Sequence, residues 1–434
     1  MRNAIKKLLP DFLLGVYYIF WPFLGALIYR FPGKNKNIKI IGITGTNGKT
    51  TITHLATDIL EAAGYKVASI SSLRFKIGNK EYKNELKMTM PGRMKIQKFL
   101  RQVVNAGCRY IVIEVTSEGI KQHRHEFIKF DVAVFTNLTP EHIESHGSFE
   151  KYKEAKGELF KIAKTAIINL DDENAEYFAG LCKGEKRGYA IFNFQFSNFQ
   201  VLKASDINLE LSLLGEFNLY NALAAACVGL SQGIDIKIIK QVLEREKSIP
   251  GRMEVVVREP FPVIVDYAHT PDALEKVYKT ILSLKFRSVT LPPSPSTDYN
   301  IVWGGGARED IPLMICVLGA AGGGRDKWKR PEMGKIAAQY CDEIILTDED
   351  PYDESPQGIL EDIEKGIPYY ILHSAYYRKI LDRRQAIKKA LQLAKPGNTV
   401  IITGKGAEPW MMTKNGKVPW DDREIVKEEI SALG

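Results

Sequence analysis

Cysteine is scarce in this chain, and what there is lies scattered. The 434 residues hold five, Cys108, Cys182, Cys227, Cys316 and Cys341, with no CxxC pair among them. That spacing argues against a disulfide framework and against a thiolate zinc site, and a reducing cytoplasm is the expected setting. Charge of one sign is also in short supply. A net +8 suits phosphate ligands or an anionic membrane surface and is too weak to point to nucleic acid. No internal repeat is present, and no small-residue cleavage site follows the uncharged N-terminal run Phe12–Tyr29, "FLLGVYYIFWPFLGALIY". As a helix that run is about 27 Å long, just short of a hydrocarbon core of about 30 Å. Pro22 and two glycines weaken it further. Three readings stay open: an apolar helix packed on the protein, an interfacial membrane anchor reached through residues 12–29, or a true span.

What is present is alternation. From Ile38 to about Asp171, the β-rich runs "IKIIGI", "KVASI", "RYIVIEV", "DVAVFTN" and "TAIINLD" are separated by helical patterns near Thr50–Ala63, Arg93–Ala106 and Ser148–Ala163. This predicts an α/β domain with a mostly parallel sheet. "IFNFQFSNFQV" and "INLELSLLG" then alternate with period two and predict an antiparallel appendage. The helix "NLYNALAAACVGL" follows, and Ile249–Gly251 reads as a hinge. A second α/β unit runs through "VIVDYAHTPDAL", "MICVLG", "EIILTDED" and "NTVIITGKG", interrupted by the Pro/Ser/Gly-rich stretch "LPPSPSTDYNIVWGGGARED". The expected organisation is an apolar segment over 1–37, a P-loop ATPase domain over 38–250, and a smaller Rossmann-like α/β domain over 251–434.

The chemistry starts at "GITGTNGKTT". The usual G-x-x-x-x-G-K-[ST] spacing is missing, because five residues separate Gly42 from Gly48. The context, a strand before and a helix after, is still that of a phosphate cradle. Backbone N–H groups and the helix N-terminus favour an anion. Lys49 would reach the β- and γ-phosphates and the Thr50 hydroxyl a magnesium ion, while Gly45 and Gly48 let the backbone come close.

A second signal is Lys156. In "SFEKYKEAKGELFKIA" the inward helical face is Phe149, Tyr152, Lys156, Leu159, Phe160 and Ala163. A buried lysine is costly unless paired or neutral. An ordinary lysine, with a pKa of about 10.4, is neutral in only about one molecule in 2,500 at pH 7. Burial raises that fraction and leaves an amine able to take up carbon dioxide as a carbamate, a magnesium ligand. The competing reading is a lysine that snorkels to the surface. Glu114 ends one strand and His142 follows another, so carboxylate, imidazole and carbamate would meet beside the phosphate loop. His142 taken alone could be one more surface histidine, and His146 is expected to be one.

These blocks, with "EVTSEGIKQHR", "FTNLTPEHIESHG…YKEAK", "GEFNLYNALAA", "GRMEVV", "VDYAHTPDALEK", "GGGRDKWKRPEMG" and "ITGKGAE", occur in the order seen in the Mur ligases. The chain resembles most the UDP-N-acetylmuramoyl-tripeptide synthetases, which add the third residue of the peptidoglycan stem peptide, and the unusual loop spacing is that family's own. The resemblance implies ATP phosphates on Gly45, Thr46, Asn47, Gly48, Lys49, Thr50 and Thr51. It implies magnesium on Thr50, Glu114, His142 and the carbamylated Lys156. It puts Asn218 and Asn221 near adenine, Arg252 near the γ-phosphate and Asp266 near the ribose. It gives the muramyl-peptide acceptor to Thr89, Thr116, Gln122 and Arg124, and the incoming amino acid to Arg325, Glu349, Asp350, Tyr352, Gly404 and Glu408. The reaction implied is attack of the acceptor carboxylate on the γ-phosphate, then displacement of phosphate from the acyl phosphate by the amine. A cytoplasmic monomer is the expected form.

The sequence departs from that family in three places. A uridine-nucleotide domain precedes the loop in family members, whereas 37 residues precede Ile38 here, so a membrane-proximal or lipid-linked acceptor becomes a reading to test. The D-N-P-R of diaminopimelate-adding enzymes is replaced by Glu349, Asp350, Pro351 and Tyr352, which points to lysine or ornithine. Glu118 stands where the family's E-V-S-S-H carries histidine. Two other readings compete. A folylpolyglutamate- or cyanophycin-type ligase shares the ATPase and C-terminal pair, and lipid-acting amidating relatives carry a cysteine cluster that is missing here. A nucleotide-binding scaffold with a dead site is the alternative outside the enzymes, and the retained Lys49, Glu114, His142 and Lys156 argue against it.

Overall fold

The computed structural model describes residues 11–86, 88–192, 199–284 and 313–433, and the chain divides into two compact units, Met1–Ile249 and Pro250–Gly434. In the first unit the strands are β1 (Lys39–Thr44), β2 (Val67–Ile70), β3 (Arg74–Ile77), β4 (Lys80–Lys83), β5 (Tyr110–Glu114), β6 (Val132–Phe135), β7 (Thr165–Asn169), β8 (Glu185–Ala190) and β9 (Gln200–Lys203). They form one sheet in the order β4-β3-β2-β5-β1-β6-β7-β8-β9. From β2 to β9 every pairing is parallel. Parallel strands are covered on both faces, so they read as continuous apolar runs, and every residue of β2, β5 and β6 is buried. The pleat divides these runs between two cores. Ile40, Ile111, Ala133 and Phe135 pack with the helix Phe149–Ile162 on one face. Ile41, Ile43, Val112 and Val134 pack with the helices Lys49–Ala62 and Glu216–Ser231 on the other.

The chain leaves β1 for β2 on one side and returns to β6 on the other, so β1 lies at the point where strand order reverses. Ligands of open α/β sheets bind beyond the C-terminal strand ends at such a point.

Two expectations are corrected at the sheet edges. The antiparallel addition is the hairpin β3–β4, joined by Gly78–Asn79 at the β2 edge. At the other edge β9 joins β8 in parallel. Positions 193–198 of the Phe/Asn alternation lie outside the described residues, and "INLELSLLG" forms no strand. Leu209, Leu211 and Leu213 do turn toward the core while Asn208, Glu210 and Ser212 face water. Period two therefore reported an extended segment with one face packed, and a ladder partner is a separate requirement.

The second unit has β10 (Glu254–Val257), β11 (Val263–Asp266), β12 (Met314–Leu318), β13 (Glu343–Leu346), β14 (Tyr377–Lys379) and β15 (Thr399–Thr403), in the order β10-β11-β15-β12-β13-β14. Among the described residues only β10 runs antiparallel within that sheet. A separate hairpin joins β16 (Trp410–Thr413) to β17 (Gly416–Pro419). The Pro/Ser/Gly-rich stretch falls within 285–312, outside the described residues. The scattered cysteines predict no disulfide framework, yet one bond is present: Cys316 and Cys341 are joined, with Cα atoms 6.0 Å apart. Cys316 lies in β12 and Cys341 just past the helix Lys329–Tyr340, so a strand–helix crossover closes a sequence separation of 25 residues.

The N-terminal apolar run forms the helix Asp11–Ile28, with Pro22 inside it, packed against the helix Arg93–Asn105. Among the described residues no helix is long and apolar enough to cross a membrane.

Candidate active site

β1 ends at Thr44 and the helix Lys49–Ala62 begins after a loop of four residues, with a glycine at each end of it. Gly45 has φ +148°, and a Cβ there would lie 1.8 Å from Thr136 Oγ1. Gly48 has φ +85°, and a Cβ there would lie 2.3 Å from Asn221 Oδ1. A side chain at either position is excluded by conformation and by space. The segment after β6 braces the loop from outside. The Thr46 and Asn47 amides donate to Asn137 O and Oδ1, each at 2.9 Å, and Thr136 Oγ1 donates to Asn47 O at 2.7 Å. Thr51 is buried in the first helical turn. Thr50 Oγ1 shares a hydrogen bond of 2.8 Å with Ser72 Oγ, a partner that sequence reasoning missed.

Two lysines converge on this loop. Lys49 Nζ donates to Gly45 O at 3.0 Å and to Thr46 O at 2.6 Å. Lys156 Nζ donates to the same Gly45 carbonyl at 2.7 Å and lies 4.6 Å from the centre of the Tyr152 ring. Lys156 is only 2% exposed, so the snorkelling alternative is excluded. Its place follows from the helical pattern, since Tyr152, Lys156, Leu159 and Phe160 are the buried stripe of Phe149–Ile162. Burial first, then the Lys49 charge, push the Lys156 amine well below the ordinary lysine range, against an opposing pull from Glu141.

Glu141, 6% exposed, was missed, although it sits next to His142 in "TPEHIE". Its Oε2 lies 3.8 Å from His142 Nε2. His142 is half exposed at φ +57°, and its ring centre is 6.1 Å from that of Tyr152. Tyr152 OH bonds Thr46 Oγ1 at 3.0 Å. Glu114 ends β5, 1% exposed, in register with Ile43. Across the loop, Asn221 Nδ2 donates to Asn218 Oδ1 at 2.9 Å, and Asn218 Nδ2 to Leu214 O at 2.8 Å.

A glycine cradle with two amines, a helix N-terminus and a threonine hydroxyl suits a polyphosphate, and a carboxylate at the end of β5 with an imidazole in the segment after β6 are donor types that suit a divalent cation. ATP and magnesium therefore fit the residues present. Lys156 meets the first condition for carbamylation, an amine that is buried and held below the ordinary lysine range.

A polar chain leads from this cluster to the expected acceptor loop. Arg124, 7% exposed, donates to Met90 O at 2.6 Å and to Gln122 Oε1 at 2.8 Å. Burial and then Arg93 bring its pKa down to about 10. Gln122 Nε2 donates to Glu118 Oε2 at 3.3 Å. Glu118 in turn accepts from Ser145 Oγ and faces His146 Nε2 at 3.6 Å. Thr116 Oγ1 accepts from Gly119 N at 3.0 Å, and Thr89 is half-buried beside Met90. The expectation that His146 is a surface histidine is corrected: its side chain is 3% exposed and its ring lies 5.5 Å from Tyr152. Burial lowers its pKa to about 4, with Glu118 opposing. Glu118 thus joins the segment carrying Gln122 and Arg124 to the segment carrying Glu141 and His142.

In the second unit Asp266 accepts the amides of Met253 at 2.7 Å and Ala268 at 2.6 Å, and burial raises its pKa against the pull of Arg252. Arg252 lies 4.1 Å over the Tyr267 ring, and Tyr267 OH donates to Glu408 at 3.2 Å. The acidic surroundings expected around 349–352 are partly neutralised. Lys405 Nζ donates to both Asp350 oxygens at 3.0 and 2.9 Å and also to Glu408. Met412 N donates to Asp350 Oδ1 at 2.7 Å. Glu349 is 4% exposed with its carboxyl pushed up by burial, and its Oε2 has no hydrogen-bond partner among the described residues. A Cβ on Gly404 would lie 2.3 Å from that oxygen. Tyr352 is held at φ +57°, its ring 5.8 Å from the Arg325 guanidinium.

Comparison with known proteins matches residues 43–229 to the Mur ligase middle domain and 307–406 to the Mur ligase glutamate ligase domain. The UDP-N-acetylmuramoyl-L-alanyl-D-glutamate--2,6-diaminopimelate ligase of Halalkalibacterium halodurans is 36% identical over 422 residues, 92% of this chain and 80% of that protein. A solved ligase of the same name superposes with a TM-score of 0.56 at 28% identity, covering 92% of this chain and 79% of that one. The folylpolyglutamate synthase of Mycobacterium tuberculosis shares the fold, with a TM-score of 0.65 at 16% identity over 89% of this chain and 92% of that one. With its phosphate loop, its second α/β unit and relatives at this level of identity, the chain belongs to the Mur ligase family and is an ATP-dependent amide ligase.

Proposed function

We propose that this chain adds a diamino acid, as the third residue, to the carboxylate of a muramyl-peptide acceptor through an acyl phosphate. Residues 38–250 bind ATP and 251–434 the amino acid. The observation that carries the reading is Lys156, buried and bonded to the same Gly45 carbonyl as Lys49.

In this reading Lys49 and the loop amides hold the phosphates where the γ-phosphoryl group is transferred, and Arg124 presents its planar fork to the acceptor carboxylate. Neutral Lys156 adds its amine to carbon dioxide, loses a proton and becomes an anionic carbamate, which with Glu114, His142 and Thr50 would hold magnesium. When bound, that ion neutralises charge on the transferring phosphoryl group. We assign Asn218 and Asn221 to the adenine, Arg252 to the γ-phosphate and Asp266 to the ribose. Asp266 would act through position, because two backbone amides already occupy its oxygens.

Relatives are named for 2,6-diaminopimelate, but Tyr352 replaces the arginine of D-N-P-R. We read the site of Arg325, Glu349, Asp350, Gly404 and Glu408 as favouring lysine or ornithine, whose distal amine suits the buried carboxyl of Glu349. We place the enzyme in the cytoplasm as a monomer, with peripheral lipid contact through residues 12–29.

Phosphate release measured over a panel of amino acids and muramyl acceptors tests this reading. Release should require both. Release that ignores the acceptor or the amino acid defeats the ligase reading, and faster turnover with meso-diaminopimelate than with lysine defeats the specificity.

A further inference from the structure

The helix Asp11–Ile28 is held firmly on one side and left apolar on the other. Pro22, Gly25 and Ala26 face inward, and a Cβ on Gly25 would lie 3.3 Å from both Met94 Cα and Gln97 Cγ of the helix beneath. Arg101 closes the C-terminal end, donating to Tyr29 O at 2.8 and 2.7 Å and to Arg30 O at 3.0 Å. A ring cluster of Phe23, Phe31 and Phe127 fixes the exit, with centroids 5.7 to 6.3 Å apart. Yet Ile19, Phe20, Trp21, Phe23, Leu27 and Ile28 are each 37–55% exposed. Isolated apolar side chains are ordinary on a surface, but six within ten residues of one helix mark a docking face.

Charge selects the occupant. Residues 1–37 carry six Lys or Arg against one Asp, so this short segment supplies five of the chain's eight net positive charges. Arg30, Lys34 and Lys36 are exposed just past the helix, and Lys95 and Lys98 are exposed on the helix it rests on. Aromatic and aliphatic side chains on one helix, with exposed cations just past its end and on the helix beneath, form the pattern of a helix lying in a lipid interface. A second copy of the chain would bring the same cations together.

We propose that this face seats the protein on an anionic lipid surface, with the helix along the interface, so that the acceptor loop lies beside the bilayer. The last part rests on the acceptor role given above to Gln122 and Arg124. Its geometric basis is contact: Tyr18 stacks on His123 with centroids 6.4 Å apart. Arg93 lies 4.5 Å over the Tyr18 ring and donates to Gln122 O at 2.7 Å.

The test is co-sedimentation of the full chain with vesicles of phosphatidylcholine alone or mixed with phosphatidylglycerol, at low and high salt. Binding should require the anionic lipid and weaken with salt. Lys34→Gln with Lys36→Gln should weaken it roughly fivefold per lysine, and Phe20→Ser with Leu27→Ser should abolish it. Failure to bind, or equal binding to both vesicle types, overturns the proposal. So does light scattering that shows a dimer which the Phe20/Leu27 variant dissociates. Phosphate release with a soluble acceptor should be unchanged in both variants. If the unaltered chain binds vesicles but releases no phosphate with either a soluble or a lipid-linked acceptor, docking stands and the muramyl-acceptor reading falls. Turnover of a lipid-linked acceptor in the same vesicles should fall with binding, and variants that keep it overturn the placement of the acceptor loop.

Discussion

Replacing Lys156 separates stability from catalysis. In Lys156→Met the apolar stem remains and the amine goes. What the fold loses is one hydrogen bond to Gly45 O, about 1 kcal/mol. What it gains is relief from a buried amine that burial and Lys49 hold away from its charged form. Each tenfold shift in a proton equilibrium is worth about 1.4 kcal/mol, so in protein freed of carbon dioxide, where position 156 is a free amine, Tm at neutral pH should hold steady or rise. The sign also governs pH dependence. A folded pKa below the unfolded one makes the unfolded chain bind more protons between the two values, so stability rises with pH across that window. The methionine variant should lose that rise. Turnover, in contrast, should fall at least 10²-fold, the scale of losing one preorganised group at developing charge.

Lys156→Ala removes the stem beyond Cβ as well, three methylenes at about 0.8 kcal/mol each, so about 2.4 kcal/mol of burial disappears. It leaves space beside Gly45 in which formate or acetate can stand in for the carbamate. Phosphate release by the alanine variant should recover with added carboxylate, release by the methionine variant should not, and the unaltered enzyme should lose activity when stripped of carbon dioxide and bicarbonate. Full activity in Lys156→Met, or no response to carboxylate in Lys156→Ala, refutes the carbamate argument.

Other outcomes follow from the same coordinates. Arg383 and Asp422 form a two-bond ion pair at 2.9 and 2.7 Å with both side chains fully buried, so Asp422→Asn should cost about 3–5 kcal/mol. Calorimetry should record a fall in Tm of roughly 6–20 °C. His146 must charge in acid: with its folded pKa at about 4, its contribution is complete above the usual 6.5 and is lost as pH falls toward 4. Urea unfolding at pH 4.5 and 7 should differ by up to about 3 kcal/mol less in His146→Gln than in the unaltered chain. Glu118→Gln should raise the KM for the acceptor while nucleotide affinity stays constant, because Glu118 reaches Gln122 and, through it, Arg124. Tyr352→Arg should shift the amino-acid preference toward diaminopimelate; an unchanged lysine-to-diaminopimelate ratio of kcat/KM counts against position 352 as the selector.

Legibility in the sequence followed the range of each interaction. The loop Gly45–Thr51 could be read because its demands are local: two positions that admit no side chain, then a lysine and a threonine opening a helix. Lys156 was legible as a break in a 3.6-residue pattern, and burial there is what the pattern requires. Glu141, Ser72 and His146 were missed because each acts on a residue well outside its own element, Lys156, Thr50 and Glu118 respectively. Period two at 207–214 described burial truly and pairing wrongly, since a ladder depends on a neighbour that no local pattern contains.

The chain's own order of residues determined which segments bury, which strands can be parallel, and that a phosphate-binding turn opens the helix after β1. Only the tertiary structure decided that Cys316 meets Cys341, that Asp350 belongs to Lys405, and that Lys49 and Lys156 share one carbonyl. Periodicity reflects a single element against an apolar background, whereas pairing of charges and thiols depends on which strand lies next to which, a property of the folded sheet.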